Sequence, residues 1–194
     1  MKRLITISFT IILATLSFFA QSSKPAEVLT VPSVDLNKYS GTWYEIAKYP
    51  NKFQKDCVGN TTATYTLKGE GKIEVLNRCL EKDGTVKDAK GSGKVEDERT
   101  KAKLKVRFAP GFLSFLSAVW GDYWVIDLAP DYSYSVIGTP DREYFWILSR
   151  TPELKDSVYQ DILRRAEQQG FVPGKVVKTP QAVETGKGSV LPSS

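Results

Sequence analysis

Residues 41–50 read Gly41-Thr-Trp-Tyr-Glu-Ile-Ala-Lys-Tyr-Pro50, or GTWYEIAKYP. Every second residue puts Trp43, Glu45, Ala47 and Tyr49 on one side and Tyr44, Ile46 and Lys48 on the other. That period of two marks a β-strand. Both faces carry aromatic residues, and the Trp43 face includes a carboxylate. Such a strand is covered on both sides.

The pattern recurs along the chain. Alternating runs occupy 58–67, 72–80, 85–97, 101–108, 121–129, 132–139 and 143–150, each bounded by turn residues. The link Lys68-Gly-Glu-Gly71 between the second and third is a hairpin connection. Glycines at 91 and 93 interrupt the fourth run, as expected where a sheet bends. Eight short strands joined in sequence predict an all-β fold, an eight-stranded antiparallel up-and-down β-barrel without free edges. The period then changes. Thr151-Pro152-Glu153 offers a capping oxygen, a first-turn proline and an acid at the positive helix end. Leu154, Val158, Ile162, Leu163 and Ala166 fall on one helical stripe, and Gly170 is a natural stop. One C-terminal α-helix should therefore pack outside the barrel, followed by a short strand over 174–178. Strand 41–49 then has one face in the lumen and the other partly covered.

The chain has 194 residues. Lys2 and Arg3 followed by an apolar run to about Ala20, with Ala20-Gln21-Ser22 as a cleavage pattern, read as a secretory signal peptide over 1–22. An uncleaved anchor is the alternative. No cysteine lies near the cut, so no lipobox is present, and a secreted or periplasmic location is expected. Residues 23–36 read as a linker, 37–180 as the barrel plus helix, and 181–194 as a disordered tail. Removing the leader lowers the net charge from +5 to +3. Lysines and arginines are interspersed with acids, not blocked as nucleic-acid binding requires, so no nucleic acid is expected as a partner.

The sequence has no histidine and two cysteines. This excludes a Ser-His-Asp triad, a Cys-His pair, imidazole metal sites and a four-cysteine zinc site. No metal or cofactor is expected. Paired carboxylates or a lone thiol remain as chemistry.

The motifs then resemble a known family. GTW (41–43), Asp131-Tyr132 between the sixth and seventh runs, and Arg150 at the end of the eighth are similar to the three lipocalin motifs, in order. The run DREYFWILSRTP (141–152) is similar to the bacterial and apolipoprotein D-like lipocalins. The resemblance covers residues 34–178. Gly41, Trp43, Asp131, Tyr132 and Arg150 read as architecture. Trp43 and Arg150 meet where the barrel closes, and a guanidinium on an indole is worth about 0.5–2 kcal/mol.

If Arg150 points inward, so do Leu148, Trp146 and Tyr144. The first strand then places Glu45, Ala47 and Tyr49 in the lumen, and hairpin matching adds Tyr65, Val75 and Asn77. The resemblance implies Phe108, Tyr123 and Trp146 as pocket walls. A filled barrel is the alternative. An open lumen of this kind suits fatty acids or lysophospholipids, bound and carried without reaction by a monomer or weak dimer, in envelope lipid maintenance. The link 109–121 carries Phe112, Phe115 and Trp120. It reads as a lid or as a membrane contact beside Lys48, Lys52, Lys55 and Arg107, with Trp120 turned toward the ligand. Glu45 should be paired with a tyrosine or a cation, or contact a ligand head group. Cys57 and Cys79 meet at the mouth once the hairpin folds at 68–71, so a disulfide is expected, worth roughly 3 kcal/mol. The competing class is a lipid-modifying enzyme using a mouth cysteine as nucleophile. A haem or pigment carrier, needing a tyrosine ligand, ranks last.

Overall fold

The computed structural model describes residues 26–69, 71–109 and 116–182. The leader expected over 1–22, Phe112 and Phe115 of the mouth link, and the tail from 183 lie outside the described residues.

Eight strands form the barrel: β1 (Gly41–Lys48), β2 (Cys57–Leu67), β3 (Lys72–Glu81), β4 (Val86–Val95), β5 (Lys103–Arg107), β6 (Gly121–Leu128), β7 (Tyr134–Gly138) and β8 (Phe145–Ser149). Each pairs antiparallel with the next, and β1 pairs with both β8 and β2, which closes the ring. The barrel expected from the hairpin pattern is present. A ninth strand, β9 (Val177–Lys178), lies along β1 outside the ring.

The inner face holds one apolar cluster, including Trp43, Ala63, Tyr65, Ile73, Val75, Leu104, Val125, Ile137 and Leu148. The outer cluster lies under the C-terminal helix α2 (Asp156–Gln168), whose Tyr159, Ile162 and Ala166 pack with Ile46, Ala47, Tyr49, Phe145 and Ile147. Arg165 fixes the helix by donating from Nε to Asp127 Oδ2 at 2.8 Å. The helix begins later than Thr151 because Thr151 Oγ1 donates to the Glu153 carbonyl at 2.7 Å, holding that segment in a turn. Lys155 takes the cap position without a side-chain bond.

The segment read as a linker is packed from residue 26 onward. Val28 and Val34 are buried, and Val31 and Val34 donate backbone bonds to the carbonyls of Val125 and Thr100. Its short apolar residues, spaced by prolines, gave no strand or helix period to detect. A short helix α1 (Leu36–Tyr39) then enters the closed end of the barrel.

Arg150 organises that end. Its guanidinium lies 3.7 Å from the Trp43 ring centroid and donates to the carbonyls of Lys38, Tyr39, Ser40 and Thr42. Three of these are at the end of α1, where carbonyls lack helical partners. Trp43 Nε1 donates to the Tyr39 carbonyl at 2.8 Å. Gly41 has φ +98°, and a Cβ there would stand 3.4 Å from Arg150 Nη1, so the motif glycine serves backbone shape and clearance. The Asp131-Tyr132 turn joins the same end: Asp35 N donates to Tyr132 Oη at 2.9 Å, and Ser133 N to Asp131 Oδ1 at 3.0 Å.

Arg150→Met should therefore lower stability by about 2–4 kcal/mol, through the lost ring contact and the released carbonyls. Urea unfolding midpoints would measure it, and Arg150→Lys should recover only part, because an ammonium cannot fork across the α1 carbonyls.

Candidate functional site

The inner face of β1 is set by an irregularity. Against β8, Glu45 pairs with Leu148, Ala47 with Ile147 and Lys48 with Trp146, with a register shift between Glu45 and Ala47. Directly opposed residues share a face, and an extra residue in one strand swaps the faces beyond it. Leu148 and Trp146 face inward, so Glu45 and Lys48 do as well. Ala47 and Tyr49, expected in the lumen, lie instead in the outer cluster. Tyr49 packs on Phe145 and Phe171 and accepts the Val172 N–H at its hydroxyl.

A polar network follows at the mouth. Glu45 and Lys48 are 3 % and 9 % exposed, and Lys48 Nζ stands 3.0 Å from Glu45 Oε1. The same oxygen accepts from Thr179 Oγ1 at 2.6 Å, and Glu45 Oε2 accepts from Gln54 Nε2 at 2.6 Å. Gln54 Oε1 in turn accepts from Trp146 Nε1 at 3.1 Å and Asn51 Nδ2 at 2.9 Å. Gln54 sits on the single 3-10 turn Lys52–Gln54 between β1 and β2. The network thus ties that turn, both neighbouring strands and the C-terminal segment. Glu45 is paired with a cation, one of the partners expected for it. Gln54 and Thr179 escaped the sequence reading, and Lys48, expected on the basic rim of the mouth, was not expected beside Glu45. On an unbroken strand Lys48 faces away from Glu45, and only the register shift brings them together.

Deeper in the lumen the hydroxyls of Tyr39, Tyr65 and Tyr123 form a chain. Tyr123 Oη lies 2.8 Å from Tyr39 Oη and 2.9 Å from Tyr65 Oη, and Tyr39 Oη continues to Ser135 Oγ at 2.9 Å. Burial pushes the Tyr39 phenol up to about 12 and raises Tyr65 and Tyr123 well above the usual tyrosine range. A cavity of about 20 Å³ remains here, bounded by these rings and by Val34, Val75 and Leu104. That is room for about one water. The closed half of the barrel is therefore filled.

The open half differs. A Cβ at Gly91 would meet the Phe108 ring at 2.7 Å, so Phe108 lies against β4 while 46 % of its surface stays exposed. Val75 and Asn77 line the same side of β3, opposite Tyr65 and Ala63. Asn77 Oδ1 and Thr61 Oγ1 are buried without a hydrogen-bond partner among the described residues. Trp120 does not turn toward this space. Its ring packs with Lys94 Nζ, 4.5 Å from the centroid, and with the Arg107 guanidinium at 5.1 Å. Three positions before inward-facing Tyr123, strand alternation carries it outward.

Cys57 and Cys79 form a disulfide beside the mouth, with Cα atoms 5.7 Å apart, so neither is a free thiol. Among the described residues no group of three or more acidic or thiol side chains is placed to hold a metal.

A family model described as a lipocalin-like domain matches residues 34–181. Temperature-induced lipocalin-1 of Arabidopsis thaliana is 39 % identical over 168 residues, covering 86 % of this chain and 89 % of its own. Outer membrane lipoprotein Blc of Escherichia coli K12 is 36 % identical over 158 residues, covering 81 % and 85 %. Bovine apolipoprotein D is 41 % identical over 129 residues, covering 62 % of each. Among solved structures, insecticyanin from Manduca sexta superposes with a TM-score of 0.64 at 22 % identity, over 80 % of this chain and 85 % of that one. The last likeness speaks for the fold alone.

The tyrosine chain predicts alkaline behaviour. The unfolded phenols ionise near pH 10 and the buried ones only higher, so the unfolded state loses protons first. Stability is then unaffected below pH 10 and falls above it, by up to about 1.4 kcal/mol per pH unit for each withheld ionisation. Tyr123→Phe should flatten that slope by about this amount, read from urea midpoints at pH 9, 10 and 11.

Proposed function

Because the chain belongs to the lipocalin family, whose members bind small hydrophobic ligands, we propose that it binds and carries fatty acids or lysophospholipids, with the acyl chain in the open half of the lumen. The observation that carries this reading is the division of the interior. Its closed end is packed around the tyrosine chain, and toward the mouth Trp146 and the half-exposed Phe108 ring stand beside a fixed polar network of Glu45, Lys48 and Gln54. That is the pattern of a site that orients one end of a mostly apolar molecule. Each buried methylene contributes about 0.8 kcal/mol, so a long chain reaches useful affinity after ordering costs. Entry requires the Phe108 ring to move off Gly91, and its exposed edge leaves it free to do so. The reading is one of binding without reaction. The rival, a cysteine nucleophile at the mouth, has no thiol while Cys57 and Cys79 are bonded.

The setting proposed is export, in an envelope or outside the cell. The N-terminal leader pattern supports it, as does the likeness to an outer membrane lipoprotein. At the mouth, Phe53, Val58, Val86, Phe108 and Leu116 are exposed near Lys52 and Lys55, a composition suited to the headgroup region of a bilayer. The open end would face the membrane from which ligand is taken.

Two measurements test these proposals. Native mass spectrometry of protein from its own compartment should find a one-to-one adduct with the mass of a monoacyl lipid, released on denaturation. A bare protein that stays empty after incubation with oleate and 1-oleoyl lysophosphatidylcholine would overturn the carrier reading. For the membrane part, Phe53→Ser with Leu116→Ser should weaken flotation with anionic vesicles at least tenfold; unchanged flotation would count against it.

A further inference from the structure

Lys48 is an unusual lysine. It is 9 % exposed, on the inner face of β1 opposite Trp146, and its one acceptor among the described residues is Glu45 Oε1 at 3.0 Å. An ammonium has three donors, and a buried donor without an acceptor costs stability. Glu45 does not need Lys48 for its own hydrogen bonds, because Gln54 and Thr179 donate to it independently. Two of the Lys48 N–H groups therefore have no acceptor among the described residues and remain for another. Two more unmatched polar atoms lie on the strands that continue this wall: Thr61 Oγ1 on β2 and Asn77 Oδ1 on β3, each buried without a partner among the described residues. Asn77 pairs with Ala63, which belongs to the inner cluster, and the Thr61 backbone is tied to that of Glu45 by the Gln181 amide.

Resting on the carrier reading, we propose that Lys48 is the specificity-determining residue of the site. It accepts ligands whose polar end carries an anionic oxygen group, a carboxylate or a phosphate, and discriminates against the same chain ending in a neutral group. The anion takes the spare Lys48 donors, while Glu45 keeps its bonds to Gln54 and Thr179. Asn77 Oδ1, an acceptor, takes a hydroxyl next to that anion where the ligand has one, as a glycerol phosphate does and a fatty acid does not. Exposed Lys52 and Lys55 on the adjoining turn offset the added negative charge.

The test is a binding series with one acyl chain and four ends, on the full mature protein: oleate, 1-oleoyl-glycerol 3-phosphate, monoolein and oleyl alcohol. Wild type should bind the two anions at least tenfold more tightly than the two neutral lipids. Lys48→Met should abolish that preference by lowering the affinity for both anions to that for the neutral lipids, and Lys48→Arg should retain it. Because Lys48→Met strands the Glu45 carboxylate, the double variant Glu45→Gln with Lys48→Met keeps the site neutral and should show the same loss. Asn77→Leu should weaken the glycerol phosphate more than oleate, and equal losses for the two would overturn the role given to Asn77. An anion preference that survives in the double variant overturns the proposal while leaving the carrier reading intact. Failure of oleyl alcohol and oleate alike to bind wild type overturns the carrier reading itself, and this proposal with it.

Discussion

A strand has two edges, and β1 is hydrogen-bonded to three partners. Its first half, Gly41–Tyr44, pairs with β2; its second half, Ala47–Lys48, pairs with β9; and β8 runs along the other edge. Closing the ring and admitting the ninth strand at one edge forces β1 away from β2 midway. The gap is bridged by residues after β9. Gln181 Nε2 donates to the Glu45 carbonyl at 2.8 Å and the Thr61 carbonyl at 2.9 Å, and Asn60 N donates to Pro180 O. One side chain thus replaces ladder bonds that the two strands no longer make. The register shift beside Ile46 belongs to the same divergence, and it sends Lys48 inward and Tyr49 outward.

What could be read in advance follows from this geometry. Period-two runs, turn residues and the helical stripe are local, and they gave the barrel, the strand order and the outer helix. Trp43 and Arg150 meet because strand closure is a topological necessity once eight strands are counted. Inward placement held for Glu45, Tyr65, Val75, Asn77 and Trp146, whose parity is fixed by neighbours on unbroken stretches. It failed at Ala47 and Tyr49, beyond a shift that no residue in GTWYEIAKYP announces. No glycine or proline marks Ile46. The cause lies about 130 residues away, in a segment with no strong period of its own. Trp120 failed for the opposite reason: alternation from Tyr123 would have placed it outside, but aromatic content outweighed position.

The barrel divides its physics along its axis. The closed half buries Trp43 and Tyr65 against Tyr39 of α1, and Arg150 satisfies the carbonyls at the end of that helix. Its three phenols fill space and find one another, so polarity is admitted without an unpaired group. The open half leaves Asn77 Oδ1 and Thr61 Oγ1 unmatched and Phe108 half out of the wall. Fully satisfied interiors are stable but inert. Asn77 Oδ1 is an unmatched acceptor on the inner face, where a guest could supply the missing donor.

The Glu45–Lys48 pair brings this to a point. Burying two charges costs more than their attraction commonly returns, and hydrophobic replacements are often neutral or stabilising. Stability alone is then a poor reason for an ion pair at this depth. The asymmetry of its bonding points elsewhere. Among the described residues Glu45 has three donors and is held from three sides, whereas Lys48 has one acceptor and stands at a strand end. A carboxylate so anchored holds its neighbour's ammonium against the inner face of the strand. The lysine is the member with fewer partners among the described residues, at the rim of an apolar inner face that can select for length but not for the nature of a ligand's end. Selection by charge can act at the rim, and the register shift in β1 supplies the cation there.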